Sequence, residues 1–127
     1  MTGNDLFIMS LDLLGLRENA FSLPSDTADL KNKALSLINI TLAENSELDC
    51  RIRRTEHKVI KINTLDDIID CSEIVAVSVL PYGVARLLAL GEDDALCADL
   101  NRLYGEAKLK AIGFGKAKAE PIKEVYS

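Results

Sequence analysis

Apolar residues recur at helical spacing in four stretches of this chain. Asn4 or Asp5 can cap a first helix through Leu6, Phe7, Met9, Leu11, Leu13 and Leu14, and Gly15 offers a left-handed stop. That helix is apolar on most sides, so other helices or a neighbouring subunit must cover it. Asn19 to Pro24 reads as a loop. Ser25 or Asp26 then starts a second helix, with Leu30, Ala34, Leu37, Ile38 and Leu48 on its apolar face and Asp29 and Lys33 one turn apart on the wet side.

The pattern changes at Arg51. Ile52, Val59, Ile60 and Ile62 are β-branched and partly alternate with Arg53, Arg54, Lys58 and Lys61, which predicts a short β-hairpin or an extended arm over residues 51–62. Beyond Asn63 and Thr64, the acidic residues Asp66, Asp67, Asp70 and Glu73 lead into an apolar run from Ile74 to Leu90, with Ser72 as its expected cap. Pro81 lies inside that run and either kinks the helix or starts it.

Gly91 closes the run, and Glu92, Asp93 and Asp94 place negative charge at the start of the next helix, where the backbone dipole is positive. So short a link makes an antiparallel helical hairpin. Leu96, Leu100, Leu103, Tyr104, Ala107 and Ala111 form the last apolar stripe, with Lys108 and Lys110 near its end and Gly113 beyond. The expected fold is mainly all-α: a four-helix bundle-like domain over residues 1–113, with a hairpin or extended arm between helices two and three. Residues 114–127 are expected to form a flexible, extended tail.

The 127 residues are 48% hydrophobic, enough for one core without a structural metal or disulfide. Ile74 to Leu90 is long enough to raise the question of a membrane span. An Arg in mid-span costs about 2.5–3.5 kcal/mol, so Arg86, with Pro81 and Gly83, makes it a core helix instead. Three widely spaced cysteines, Cys50, Cys71 and Cys97, with no signal sequence before them, are expected to be reduced thiols of an intracellular protein.

Charge is unevenly distributed. Residues 51–61 hold five Lys or Arg against one Glu, a local charge of +4 in a chain whose total is −5. Residues 108–127 hold five Lys and two Glu, or +3, which leaves −12 for the rest. An acidic chain is poorly suited to wrapping nucleic acid, but an acidic body with basic extensions can meet its own copies head to tail.

No enzyme chemistry stands out. His57 is the only histidine, and it lies among charges. A zinc site would require Cys50, His57, Cys71 and perhaps Cys97 to converge, and none shows the close ligand pairs such sites use. Gly113-Phe114-Gly115-Lys116 lacks full phosphate-loop spacing and a preceding strand. The acidic clusters sit where helices begin. No catalytic residue, metal or cofactor is expected.

The run Leu80-Pro81-Tyr82-Gly83-Val84-Ala85-Arg86-Leu87-Leu88-Ala89-Leu90, the turn Gly91-Glu92-Asp93-Asp94-Ala95 and the ending Leu103-Tyr104-Gly105-Glu106-Ala107 resemble the helical hairpin of tailed-phage head-tail connector, or adaptor, proteins. Leu37-Ile38-Asn39 and the segment leading to Leu65-Asp66-Asp67-Ile68 also fit, so the likeness spans roughly residues 25 to 112. The hairpin motif comprises Pro81, Tyr82, Gly83, Ala85 and Tyr104.

The resemblance implies a non-enzymatic subunit that forms a homo-oligomeric ring beneath the portal protein and docks a downstream tail or stopper protein. DNA would pass through the ring without specific binding and no membrane would be involved; the expected location is the head-tail junction of the virion, after assembly in the host cytoplasm. The expected subunit or portal contacts are Arg51, Arg53, Arg54, Lys58 and Lys61 of the arm and Phe114, Lys116, Lys118, Lys123 and Tyr126 of the tail. The alternative is a small regulatory module that touches DNA through residues 51–61. A metal-dependent or phosphate-processing enzyme is a more distant third reading.

Overall fold

The computed structural model describes the backbone of residues 1–15 and 24–126, and the side chains of residues 1–15 and 29–113. The described residues form five helices: α1 (Gly3–Leu13), α2 (Pro24–Arg53), α3 (Glu73–Ser78), α4 (Leu80–Ala89) and α5 (Asp94–Tyr126). The mainly helical class expected from the sequence is the class observed. Short α4 sits at the centre and touches each of the other four helices. Leu80, Pro81, Gly83, Val84, Ala85, Leu88 and Ala89 are consequently all buried on it.

Helix α1 starts earlier than either expected cap would place it. Thr2 is the cap: its hydroxyl accepts from the Asp5 N–H at 3.2 Å, and the Asp5 carboxylate accepts from the Thr2 N–H at 2.9 Å. This reciprocal box satisfies two backbone donors at once. Asn4 instead donates to Asp66 at 2.8 Å, while the Gly3 and Asn4 N–H groups bond to the carbonyls of Asp67 and Leu65. Loop residues 65–67 thus provide the acceptors that the first helical turn lacks. At its far end, Gly15 takes the left-handed conformation at φ 72°.

Helix α2 outruns its expected end and includes Arg51 and Arg53. Glu47 and Asp49 pair with Arg51 and Arg53 one turn later, each at 2.7 Å, and basic residues favour the carbonyl end of a helix. The stop falls at Arg54, a non-glycine residue at φ 58°. The arm therefore begins after the helix. No hairpin forms in it: residues 55–62 run extended without strand pairing, and the one β-bridge among the described residues joins Thr2 to Ile68.

The apolar run divides at Val79 into α3 and α4, with Pro81 in the first turn of α4, where a missing N–H costs little. Gly91, at φ 82°, turns the chain. Asp93 then accepts from the Leu96 N–H at 3.0 Å as α5 begins.

The expected extended tail is corrected: α5 continues helical to Tyr126. Gly113 halts a helix only by adopting positive φ, and among the described residues only Gly15 and Gly91 do so among the glycines. The segment after it is also rich in Ala, Lys and Glu, which are strong helix formers.

Candidate interaction surface

The arm is held flat against α2 by side chains rather than by a neighbouring strand. Asn39 makes two bonds with Ile62, accepting from its N–H and donating to its carbonyl, both at 2.9 Å. Ser46 accepts from the Ile60 N–H at 3.0 Å, and the Cys50 sulfur accepts from the Lys58 N–H at 3.4 Å. From Asn39 to Cys50 a helix rises about 16 Å, and from Lys58 to Ile62 an extended chain covers about 13 Å. The two spans match, so every second peptide of the arm meets a polar residue of α2.

That register decides what faces solvent. Ile60 and Ile62 enter the core, 8% and 3% exposed, while Val59 lies outward at 58%. His57, Lys58 and Lys61 are exposed beside it. Strand alternation turns the peptide groups of Val59 and Lys61 away from α2. A shallow groove of about 340 Å³ runs along this outer edge, lined by Arg53, Lys58, Val59, Ile60, Lys61, Asn63 and Asp70.

The five basic residues singled out in the arm do not form one set. Arg53 is an internal tie: it pairs with Asp49 at 2.7 Å and with Asp70 at 2.9 Å, and it donates to the Asp70 carbonyl at 3.2 Å. Asp49 is fully buried and also accepts from the Ser72 N–H at 2.6 Å, so this cluster joins the ends of the 54–72 connection. Burial, together with the neighbouring charge of Asp49, pushes the nearby Cys71 thiol up to about 12. Arg51 pairs with Glu47 with both side chains largely exposed. Arg54, Lys58 and Lys61 face outward. Phe114, Lys116, Lys118, Lys123 and Tyr126 have side chains outside the described set.

The hairpin residues pack inward. Gly83 lets α4 approach its neighbours closely, since a Cβ there would lie 2.6 Å from Thr41 Cγ2 and 2.8 Å from Tyr104 Cε1. Pro81 and Ala85 are buried, and Tyr82 lies half-buried against the core. Tyr104 is 4% exposed; its hydroxyl accepts from Asn45 Nδ2 at 2.7 Å and donates to Glu44 at 3.1 Å. Glu44 also pairs with Arg86. The cations of Arg86 and Lys108 lie 4.6 and 4.0 Å from the Tyr104 ring centre, within cation–π range. Burial and the Glu44 carboxylate push the phenol up to about 12 against the opposing Asn45 hydrogen bond.

Asn39, Ser46 and Asp49 were missed by pattern reading because polar residues on an amphipathic helix read as its wet face. Their spacing of seven and three residues along α2 was the available signal. Cys50 accepts from the arm, Cys97 donates to the Arg86 carbonyl at 3.4 Å, and Cys71 lies apart beside Asp49. Among the described residues, no three His, Cys, Asp or Glu side chains gather as metal ligands would. No helix among them is long and apolar enough to cross a membrane. Comparison with protein-family models, curated proteins and solved structures finds no match for this chain.

Proposed function

We propose that this chain is a structural, non-enzymatic connector subunit of a tailed phage or prophage, which assembles into a ring beneath the portal. The observation that carries the reading is the α4–α5 hairpin: the residues that resemble the connector motif form one packed unit with α2 through Gly83, Thr41, Asn45 and Tyr104.

Charge supports the same reading. A conduit must let DNA slide, and a net-negative wall repels phosphate rather than gripping it. The exposed cations Arg54, Lys58 and Lys61 would then face a neighbouring subunit or the portal, and the downstream tail or stopper protein would dock on the completed ring.

Electron microscopy and native mass spectrometry of concentrated protein, alone and with a portal, test this. Rings or a portal complex are the expected outcome. A chain that remains monomeric and ignores the portal contradicts the reading. Salt-sensitive binding to duplex DNA in a gel-shift titration would favour the regulatory alternative instead.

A further inference from the structure

Two exposed apolar residues lie beside exposed charges of opposite sign. Val59 is 58% exposed on the arm, flanked by the exposed Lys58 and Lys61, in a groove that the paired Arg53 and Asp70 also line. Leu90 is 66% exposed at the α4–α5 turn, followed by the exposed acids Glu92, Asp93 and Asp94. One is an apolar edge flanked by two lysines. The other is an acidic turn with an apolar tip.

They cannot meet within one chain. The turn packs at the α2 end marked by Asp29, Leu30 and Lys33, since Leu88, Ala89, Glu92 and Asp93 line one cleft with those residues. The stretch of arm around Val59 is tied toward the other end of α2, between the Ser46 bond to Ile60 and the Cys50 bond to Lys58. Thirteen to twenty-one helical residues separate that end from Ser46 and Cys50, or about 20–30 Å. Complementary patches at opposite ends of a rigid helix satisfy each other only between molecules, in a head-to-tail contact that propagates around a ring if its rotation closes.

We propose that the α4–α5 turn of one copy docks on the arm groove of the next, with Leu90 against Val59 and Glu92, Asp93 and Asp94 facing Lys58 and Lys61. This deepens the connector reading and rests on its claim that copies of the chain associate. A second copy fits the surface better than nucleic acid, because the exposed Val59 and the Asp70 carboxylate in the groove offer nothing to a phosphate backbone, whereas Leu90 supplies an apolar counterpart. The outward peptide groups of Val59 and Lys61 add donors and acceptors for the incoming turn.

Disulfide trapping tests the contact. Val59→Cys protein mixed with Leu90→Cys protein should give a mixed dimer at least about tenfold faster than either variant alone. Wild-type chain, whose own cysteines are buried or half-buried, serves as the control. Lys58→Glu/Lys61→Glu should weaken self-association by about tenfold or more, and mixing with Glu92→Lys/Asp93→Lys should restore it. Assembly that proceeds without the mixed disulfide and ignores both charge reversals overturns this interface while leaving the ring reading intact. No self-association in any variant, with the portal present or absent, overturns both.

Discussion

Gly83 and Tyr104 show how little freedom the centre of this molecule allows. Adding one methyl group at Gly83 forces Thr41 or the Tyr104 ring to move, and overpacking of this kind costs typically 1–3 kcal/mol. Gly83→Ala should lower the urea midpoint accordingly. Tyr104→Phe keeps the ring but removes the bonds to Asn45 and Glu44, at a cost of about 1–2 kcal/mol. The phenol is raised on folding, so its contribution is complete below the unfolded value near 10 and is lost as pH rises toward about 12. A tyrosinate absorbance titration should show a late step that is absent in Tyr104→Phe.

Two arginines one helical step apart in role provide a second contrast at this scale. Arg53→Ala strands the buried Asp49 carboxylate with only the Ser72 N–H as a partner, and should cost about 2–3 kcal/mol. Arg51→Ala removes an exposed pair and should change stability by less than about 0.5 kcal/mol. Equal losses measured by chemical denaturation would contradict the division of the basic segment into an internal tie and a free surface.

Among elements, the connection from α2 to α3 departs furthest from what the sequence pattern predicts. The apolar stripe of α2, the Gly91 turn and the stripe of α5 were readable because helical periodicity and short links constrain their neighbours directly. The end of α2 was not, because Ile52 and the alternating arginines resemble a strand when local pattern alone is considered. What overrides that pattern is tertiary: Asp49 draws Arg53 into the helix, and Asn39 and Ser46 occupy the backbone groups that a hairpin partner would have taken. The continuation of α5 was likewise hidden, since a glycine reveals its φ only in the fold.

Asp67 illustrates how such a connection is held. Its carboxylate accepts from the Thr64 and Asn63 N–H groups, at 3.0 and 2.8 Å, and these bonds hold it below the usual carboxylate value. Asp5, in its box with Thr2, is lowered likewise. The unfolded chain therefore binds more protons than the folded one. Stability from these groups is present above their unfolded value near 4 and lost as pH falls through the folded values. Urea midpoints should drop between pH 6 and pH 3, with a shallower drop in Asp67→Asn. Arg54→Gly should raise stability by about 0.5–1 kcal/mol by relieving a left-handed non-glycine residue.

At the scale of the whole molecule, the proposed contact sets the exposed Lys58 and Lys61 of the arm against the exposed Glu92, Asp93 and Asp94 of the α4–α5 turn. Polarised subunits that associate through such patches do so less firmly as salt rises, because exposed charges are screened beyond about 10 Å at 0.1 M. Sedimentation velocity in low and high salt should therefore show the assembled fraction falling with ionic strength. An assembly unaffected by salt would point to an apolar interface elsewhere.

In the proposed assembly, unlike ends of identical chains meet and close. The most direct measurement is electron microscopy of concentrated protein, with portal supplied as a template, combined with mass determination of the particles. Closed rings of one chain, in which each arm touches the next subunit's α4–α5 turn, are the expected result. A population of single chains under both conditions, or symmetric dimers joined arm to arm, would contradict it.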